Sequence, residues 1–440
     1  LDGLAERGLV AAPAAGDTDP KDPEARAALE AVRGLLDGHK IGGRIGVAAI
    51  EGGWRVTVPR LELLGETNVL RVGTLRVDLK KAGEDIAFEA VLPGRMTVLD
   101  RQRRKSVALT IGQGRLSGVW RPELGSPGDV ELLVTDAQLR DAGQPWQMAA
   151  ARIRLAQTTR SGAPGRHDVA SVAELGGLRF SEAKRGGLVT LDRVLMRADL
   201  HDADLAAAER FGAMLWLGER KGRAPNVEGF DLLDSATLAL ALEGLDGVAE
   251  GRKVALDHLD LTLTGAELGA TLSSATLSYS HAGARGDDSA VPAAAEAKLV
   301  IDRIPIPALV GAAIQSAMGA LAAGADEPDT GPLLATMAQA GTTLRLDRFK
   351  VAGANWEVVA RGAARPAPEG MGGAVDLWVR GLDALLAVKD GPLAMLDPDW
   401  LRKAAIPAQD DEGRAVSRFQ LAWPAGGGVL VNGKDPFAVK

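Results

Sequence analysis

Cysteine is absent from this chain of 440 residues, and its absence excludes disulfide bonds, thiolate nucleophiles and cysteine metal sites. Aromatic residues make up only 4% of the chain, with a single tyrosine, so the core has to be built from Leu, Val, Ala and Ile. The net charge of −7 argues against a protein that holds nucleic acid by bulk electrostatic attraction. The hydrophobic fraction of 46% is nevertheless that of a globular protein with a sizeable core.

A six-residue pattern recurs along the chain: an aliphatic residue, Asp, a basic residue, an aliphatic or aromatic residue, any residue, and an aliphatic residue. Its four copies begin at Leu191, Leu256, Ile301 and Leu346, and the last three starts are 45 residues apart. Because the apolar positions are the first, fourth and sixth, the two-residue alternation of a strand slips at the Asp-base pair. Such a slip predicts a β-bulge or a bend within a strand.

Alternating apolar and polar residues predict strand after strand, with a few helical segments between groups of strands. We therefore expect an α+β protein that is mainly β, with long curved antiparallel sheets and helices inserted between strand groups. The domain prediction has three parts: a mobile N-terminus and first helix in residues 1–40, a β-rich domain with a terminal helix in 41–217, and an α+β domain of related strand repeats in 230–440. A charged, glycine-rich segment, 218–229, marks the boundary between the last two.

The uncharged stretch Ile304–Ala325 is long enough to cross a bilayer. It opens with two prolines and contains Gln315 and Ser316, however, and its larger side chains lie at helical spacing on one stripe: Val310, Ile314, Met318 and Leu321. This spacing predicts an amphipathic helix that packs on a sheet.

The densest group of polar residues consists of Asp199, His201, Asp202 and Asp204. A histidine with carboxylates can hold a divalent metal, so one hypothesis is a hydrolase or metal-dependent enzyme that uses these four residues. The competing interpretation is that Asp202 or Asp204 caps a helix predicted from Ala203 to Leu217, since Asp is favoured at that position. No Walker-type loop or dinucleotide motif is present, and no cofactor is expected.

A basic run contains Arg101, Arg103, Arg104 and Lys105 between two candidate strands. One interpretation is a hairpin tip that contacts anionic lipid head groups. The alternative is a solvated turn with no binding role. No aromatic residues are interleaved with these charges, so nucleic acid is not the expected partner.

The C-terminal part of the chain, from about Ala295, resembles poorly characterised proteobacterial envelope proteins of the YdgA-like and AsmA-like kind. The resemblance is carried by Ile304-Pro305-Ile306-Pro307 before an Ala-rich helix, by the strand from Gly341 to Val351, by the segment Ala374–Asp383 and by Val431-Asn432-Gly433-Lys434. It implies a long β-sheet protein of the periplasm, attached to the inner membrane by an N-terminal segment. Because this chain begins at Leu1 rather than Met, we expect that segment to precede it. Some relatives of this kind are implicated in lipid movement.

These observations give three functional hypotheses. The first is a non-enzymatic periplasmic envelope protein that binds or moves a lipid or another hydrophobic ligand on a curved sheet, with a lipid or membrane surface as its partner. The second is a structural or interaction scaffold of the cell envelope, with an envelope protein as its partner. The third is the hydrolase described above, which is disfavoured because no constellation of residues specifies a reaction.

Overall fold

The computed structural model describes residues 23, 26, 32, 39–65, 68–100, 106–122, 126–141, 144–182, 186–207, 232–249, 251–287, 291–323, 329–388, 397–410 and 412–436. The chain separates into two compact units. Unit 1 is drawn from Leu1–Arg160, Val169–Arg197 and Leu242–Arg252, and unit 2 from Ser161–Asp168, Ala198–Ala241 and Lys253–Lys440. The predicted boundary segment 218–229 lies outside the described residues, so the domain division stays a prediction.

Unit 1 is built on ten strands whose described pairings are all antiparallel. The strands β1 to β10 are Lys40–Ile41, Gly46–Ile50, Gly53–Leu64, Asn68–Ala82, Asp85–Val91, Arg95–Asp100, Ser106–Thr110, Gln113–Arg121, Ser126–Arg140 and Trp146–Ser161. The long strands β4 and β9 each pair with two short strands in succession: β4 with β6 and β5, and β9 with β7 and β8. Three further strands contribute residues to both units: β11 His167–Glu182, β12 Gly187–Ala203 and β13 Ser235–Ala249.

Unit 2 continues with ten more strands, again antiparallel in every described pairing. The strands β14 to β23 are Arg252–Ala266, Ser273–Ala282, Arg285–Gly286, Ala294–Ile304, Thr343–Ala352, Glu357–Ala367, Gly370–Arg380, Ile406–Gln409, Ala415–Trp423 and Leu430–Val431. The main run of neighbours is β14, β15, β17, β18, β19, β20 and β22. The described chain is thus mainly β, with antiparallel pairing and few helices, as the alternation of apolar and polar residues predicts.

The named helices all belong to unit 2: α1 Ile306–Ala323, α2 Gly331–Ala340, α3 Leu382–Leu386 and α4 Pro398–Ala404. Helix α2 ends at Gly341, which is left-handed with φ 67°, as expected of a glycine at a helix C-terminus. Helix α4 begins at Asp397, whose carboxylate accepts the backbone N–H of Asp399. In unit 1, the described residues Pro23, Arg26 and Val32 are helical, within the segment where the sequence predicts a first helix.

The predicted amphipathic helix is α1, and it contacts α2, which in turn contacts β19 and β17. Gln315 is exposed, and the hydroxyl of buried Ser316 donates a hydrogen bond to the carbonyl oxygen of Asp329. The side chains of Ile314, Met318 and Leu321 lie outside the described part, so the stripe stays a prediction. Within the part of the chain that the structure describes, no helix has the length and apolar character needed to cross a membrane.

Each unit has its own hydrophobic core. In unit 1 the core is centred on β3, β4 and β5, where Val56, Val58 and Leu79 are almost completely buried together with helical Val32. In unit 2 the core is smaller and lies where α3 and α4 cover the sheet: Leu385 and Leu401 from the helices pack with Val379 and Phe419 from the strands. Strands β14 to β18 of unit 2 supply few buried large side chains, and this observation leads to the candidate site.

Candidate functional site: an apolar sheet face in unit 2

One face of the sheet in unit 2 is apolar from β14 to β22. The pairing places Leu261 opposite Tyr279, Tyr279 opposite Ala297, and Ala297 opposite Phe349. Because paired residues lie on the same side of a sheet, this row and the rows beside it form one surface. Twelve apolar or aromatic members on β14, β15, β17 and β18 are Leu259, Leu261, Leu263, Leu277, Tyr279, Ala297, Leu299, Ile301, Leu344, Leu346, Phe349 and Val351. His281 lies on the same side, opposite Leu259.

The surface stays continuous because of β-bulges at the Asp-base pairs of the recurring pattern. On β18, Leu346 pairs with Leu299 and Arg348 with Lys298, so Asp347 is an additional residue. On β17, the register with β15 shifts between Ile301 and Ile304, across Asp302 and Arg303. The predicted slip in alternation is therefore confirmed as a bulge in these two copies. Without it, Leu346 and Phe349 would lie on opposite faces.

In a third copy, on β14, a glycine accommodates the Asp. Gly283, which directly follows β15, is left-handed with φ 68°, and a β-carbon there would overlap the carboxylate of Asp257. Asp257 also accepts two hydrogen bonds from Arg285, at 2.6 and 3.2 Å. The hydrogen bonds from Arg285 hold the pKa of Asp257 below its usual value, although some desolvation opposes the shift. The Asp of the pattern is thus packed against a position that only glycine fits well.

Among the described residues, helices cover one end of the apolar face, and at the other end its side chains remain partly exposed. Helices α3 and α4 pack on β20 and β22, where Val379 and Phe419 are both 4% exposed. On β14 to β18, by contrast, the large apolar side chains of the face are at most half-buried, and the pair Leu263 and Leu277 is 43% and 38% exposed. A sheet with an apolar face needs a covering layer, whether helices, a partner or a ligand. This open part of the face, on β14 to β18, is the candidate site.

The opposite face of the same strands is polar and carries a charged cleft. The cleft has a volume of about 390 Å³, with Trp378, Val359 and Val416 among its lining residues. At its centre Glu357 is 8% exposed. Its carboxylate lies 2.9 Å from Lys350 Nζ, 3.5 Å from Arg380 Nη2 and 3.8 Å from Arg414 Nη2.

A neighbouring loop holds one of these cations in place. Asp410 accepts the backbone N–H groups of Glu412 and Arg414, and also the Nε–H of Arg414 at 2.7 Å. Desolvation disfavours the charged form of Asp410, but these hydrogen bonds outweigh it and keep the pKa below the usual value. The acids and bases of the cleft therefore largely neutralise one another. A structural network of ion pairs and hydrogen bonds is sufficient to explain why these charges lie together.

The predicted group of Asp199, His201, Asp202 and Asp204 is not assembled into one site. The carboxylate of Asp204 accepts the N–H of Ala207 at 2.7 Å, so it acts as the helix cap that the competing interpretation predicts. His201 Nδ1 lies 3.5 Å from Asp168, which also accepts the N–H of Asp202 at 3.0 Å. Strand β12 continues through Ala203, where the sequence predicts the start of a helix.

Among the described residues, no group of three or more His, Cys, Asp or Glu side chains could hold a metal ion. The basic run of Arg101, Arg103, Arg104 and Lys105 lies outside the described residues, so its contact with lipid head groups stays a prediction. Comparisons with protein-family models, with curated proteins and with solved structures find no match for this chain.

Sequence reasoning missed the extent of the apolar face and the whole charged cleft. The recurring pattern did contain the information needed to find the apolar face, because the residues at its first, fourth and sixth positions are the ones that line this face. For the cleft, no local signal exists: its residues come from β18, β19, β20 and the loop before β22, and only strand pairing brings them together.

Proposed function

We propose that this protein is a non-enzymatic envelope protein that binds the acyl chain of a lipid on the apolar face of unit 2. The observation that carries the proposal is the row of paired apolar side chains from β14 to β18 that remains half-buried or exposed. Each such side chain gains roughly 25 cal/mol for every Å² of apolar surface that a ligand removes from water. A chain of methylene groups is a suitable occupant because the surface is long, continuous and mainly apolar.

The composition of the face favours a lipid over a protein partner. Nine of the twelve members named above are Leu, Ile or Val, with Ala297, Tyr279 and Phe349 as the others. Protein interfaces concentrate their binding energy in Trp, Tyr and Arg, and this part of the face has neither Trp nor Arg. Leu, Ile and Val give apolar contact without directional requirements, which suits flexible alkyl chains.

We further propose that the sheet is curved, so that the apolar face forms a groove, and that the protein resides in the periplasm, attached to the inner membrane. Support for the location comes from the resemblance of the C-terminal part to envelope proteins of the YdgA-like and AsmA-like kind. An enzymatic role receives no support from the geometry of Asp199, His201, Asp202 and Asp204.

The test is lipid loading of the purified protein. The chain is incubated with phospholipid vesicles and re-isolated, and bound lipid is extracted and quantified by mass spectrometry. In a variant with Leu263→Asn and Leu277→Asn, we expect several-fold less bound lipid, because two amides then replace paired apolar side chains of the face. Both side chains are already exposed in part, so the fold should persist.

A matched control comes from the opposite face of the same strand pair. Thr262 pairs with Ser278, and the variant Thr262→Asn with Ser278→Asn puts the same residues into the same strands on the polar side. Its lipid content should equal that of the unmodified protein. The proposal is wrong if the unmodified chain retains no lipid, or if both variants lose it equally. Capture of an envelope protein by a chain that retains no lipid would favour the scaffold hypothesis instead.

A further inference from the structure

A separate cavity of about 500 Å³ lies in unit 1, at the ends of the hairpins β2–β3 and β4–β5. This volume falls within the range of small-molecule pockets, roughly 300–1,000 Å³. Trp54, Leu79, Ile86 and Pro122 give it an apolar wall. The cavity is distinct from the apolar face of unit 2 and does not depend on the function proposed above.

Strand pairing explains the apolar wall. Trp54 pairs with Leu79, and Leu79 pairs with Phe88, so these three side chains share one face. Leu79 and Phe88 are core residues, and Trp54 and Ile86 pack against that core. At Gly53 a β-carbon would overlap the carbonyl oxygen of Leu79, so the close approach of β3 to β4 requires glycine there. The cavity is therefore an open end of the hydrophobic core.

A lysine stands on the same face at the end of this wall. Lys81 pairs with Ile86 and is two residues beyond Leu79, so it lies on the apolar side of β4. Among the residues that the structure describes, Lys81 forms no ion pair. The other charged residues that line the cavity are Lys80, Glu84 and Asp85, and Asp85 faces Arg121 at 3.9 Å. A cation beside an apolar cavity is therefore available to an incoming anion.

We propose that this cavity binds a single-chain anionic amphiphile of the fatty-acid class, with its alkyl chain against Trp54 and Ile86 and its carboxylate at Lys81. The alkyl chain gains from leaving water, and the carboxylate gains a charge-assisted hydrogen bond from the ammonium. A cationic amphiphile with the same chain loses that bond and meets a like charge.

The experiment is calorimetric titration of the full chain with laurate and with dodecyltrimethylammonium, both below their micellar concentrations. We expect laurate to bind at least ten-fold more tightly than the cation. Lys81→Met keeps an unbranched side chain without the charge, and it should weaken laurate binding five- to twenty-fold. The matched control is Lys40→Met, which removes an exposed lysine of the same unit and should leave the affinity unchanged.

Two further variants separate this site from the face of unit 2. Ile86→Trp fills the cavity and should abolish the laurate site, with circular dichroism as the check that the sheet is retained. The Leu263→Asn and Leu277→Asn variant should keep it, whatever that variant does to phospholipid loading. Equal laurate affinity in Lys81→Met and Lys40→Met, or equal affinity for laurate and the cation, would overturn the proposal.

Discussion

Replacement of Glu357 by Gln offers a quantitative test of the charged cleft. The side chain of Glu357 is 11% exposed, and those of its partners Lys350, Arg380 and Arg414 are 36%, 45% and 40% exposed. Breaking a fully buried ion pair costs about 3–5 kcal/mol, whereas a surface pair contributes about 0–1 kcal/mol. Because the acid is buried and its partners reach solvent, we expect Glu357→Gln to lower the free energy of unfolding by about 1.5–3 kcal/mol.

Glu296→Gln is the matched control for this substitution. Glu296 lies in the same unit and pairs with Arg348 at the same distance of 2.9 Å, but its side chain is 46% exposed. Its loss should cost less than about 1 kcal/mol. The two glutamates differ in burial and in the number of cations around them, so the comparison measures what a buried, multiply paired carboxylate contributes beyond an exposed ion pair.

Equilibrium unfolding in urea, followed by tryptophan fluorescence, measures both variants, since Trp378 lines the cleft. The midpoint should fall without a change in the slope with denaturant. The cost of Glu357→Gln should also shrink in high salt, because the remaining cations repel one another less when screened. Equal costs for the two variants, or a cost for Glu357→Gln that is insensitive to salt, would refute the reasoning.

Two further expectations concern stability. The hydrogen bonds from Arg55 lower the pKa of Asp78. Their contribution to stability is therefore present above about pH 4, near the unfolded-state pKa, and is lost as the pH falls through the lowered folded-state pKa. Asp78→Asn should flatten the acid limb of a stability–pH profile, and an unchanged limb would contradict this. Gly283→Ala should lower the free energy of unfolding by about 1–3 kcal/mol in thermal or urea unfolding, because the new β-carbon overlaps Asp257 and the positive φ is strained for alanine. Gly433→Ala introduces the same backbone strain but has open space around the β-carbon, so it should cost less. Equal costs would show that the contact with Asp257 is unimportant.

The sequence predicted those parts of the fold that depend on local periodicity. The bulges on β17 and β18 followed from the spacing of apolar residues around Asp302 and Asp347, because the period of a strand fixes which side chains share a face. The C-terminal end of α2 at Gly341 depends on the same kind of local information, because glycine adopts the left-handed conformation there most readily. Strand β21 was missed because Ile406–Gln409 is short and contains Pro407, which weakens the strand signal.

The candidate sites depend on contacts between distant parts of the chain, and the sequence could not supply these. Glu357 is identified as special only by its three cations, which come from positions 350, 380 and 414. Nothing in the sequence distinguishes Lys81 from the other lysines and arginines, and only its pairing with Ile86 shows that it lies on an apolar face. For Asp204, by contrast, the capping role could be predicted from residue type and position alone.

The bulges connect the recurring pattern to the proposed function. Where a regular strand has one polar residue between successive apolar positions, the pattern has two, and the extra one would turn every later apolar residue to the polar side. The additional residue at each bulge restores the phase, so Leu346 and Phe349 lie on one face while Asp347 and Arg348 line the cleft on the other. Arg345 then bridges the aspartates of two neighbouring copies, at 2.5 Å from Asp347 and 3.3 Å from Asp302. The bulges thus give these strands a continuous apolar surface on one side and a cross-strand ion-pair network on the other. If lipid occupies that surface, a variant that removes a bulge should impair lipid loading even though no apolar residue has been replaced.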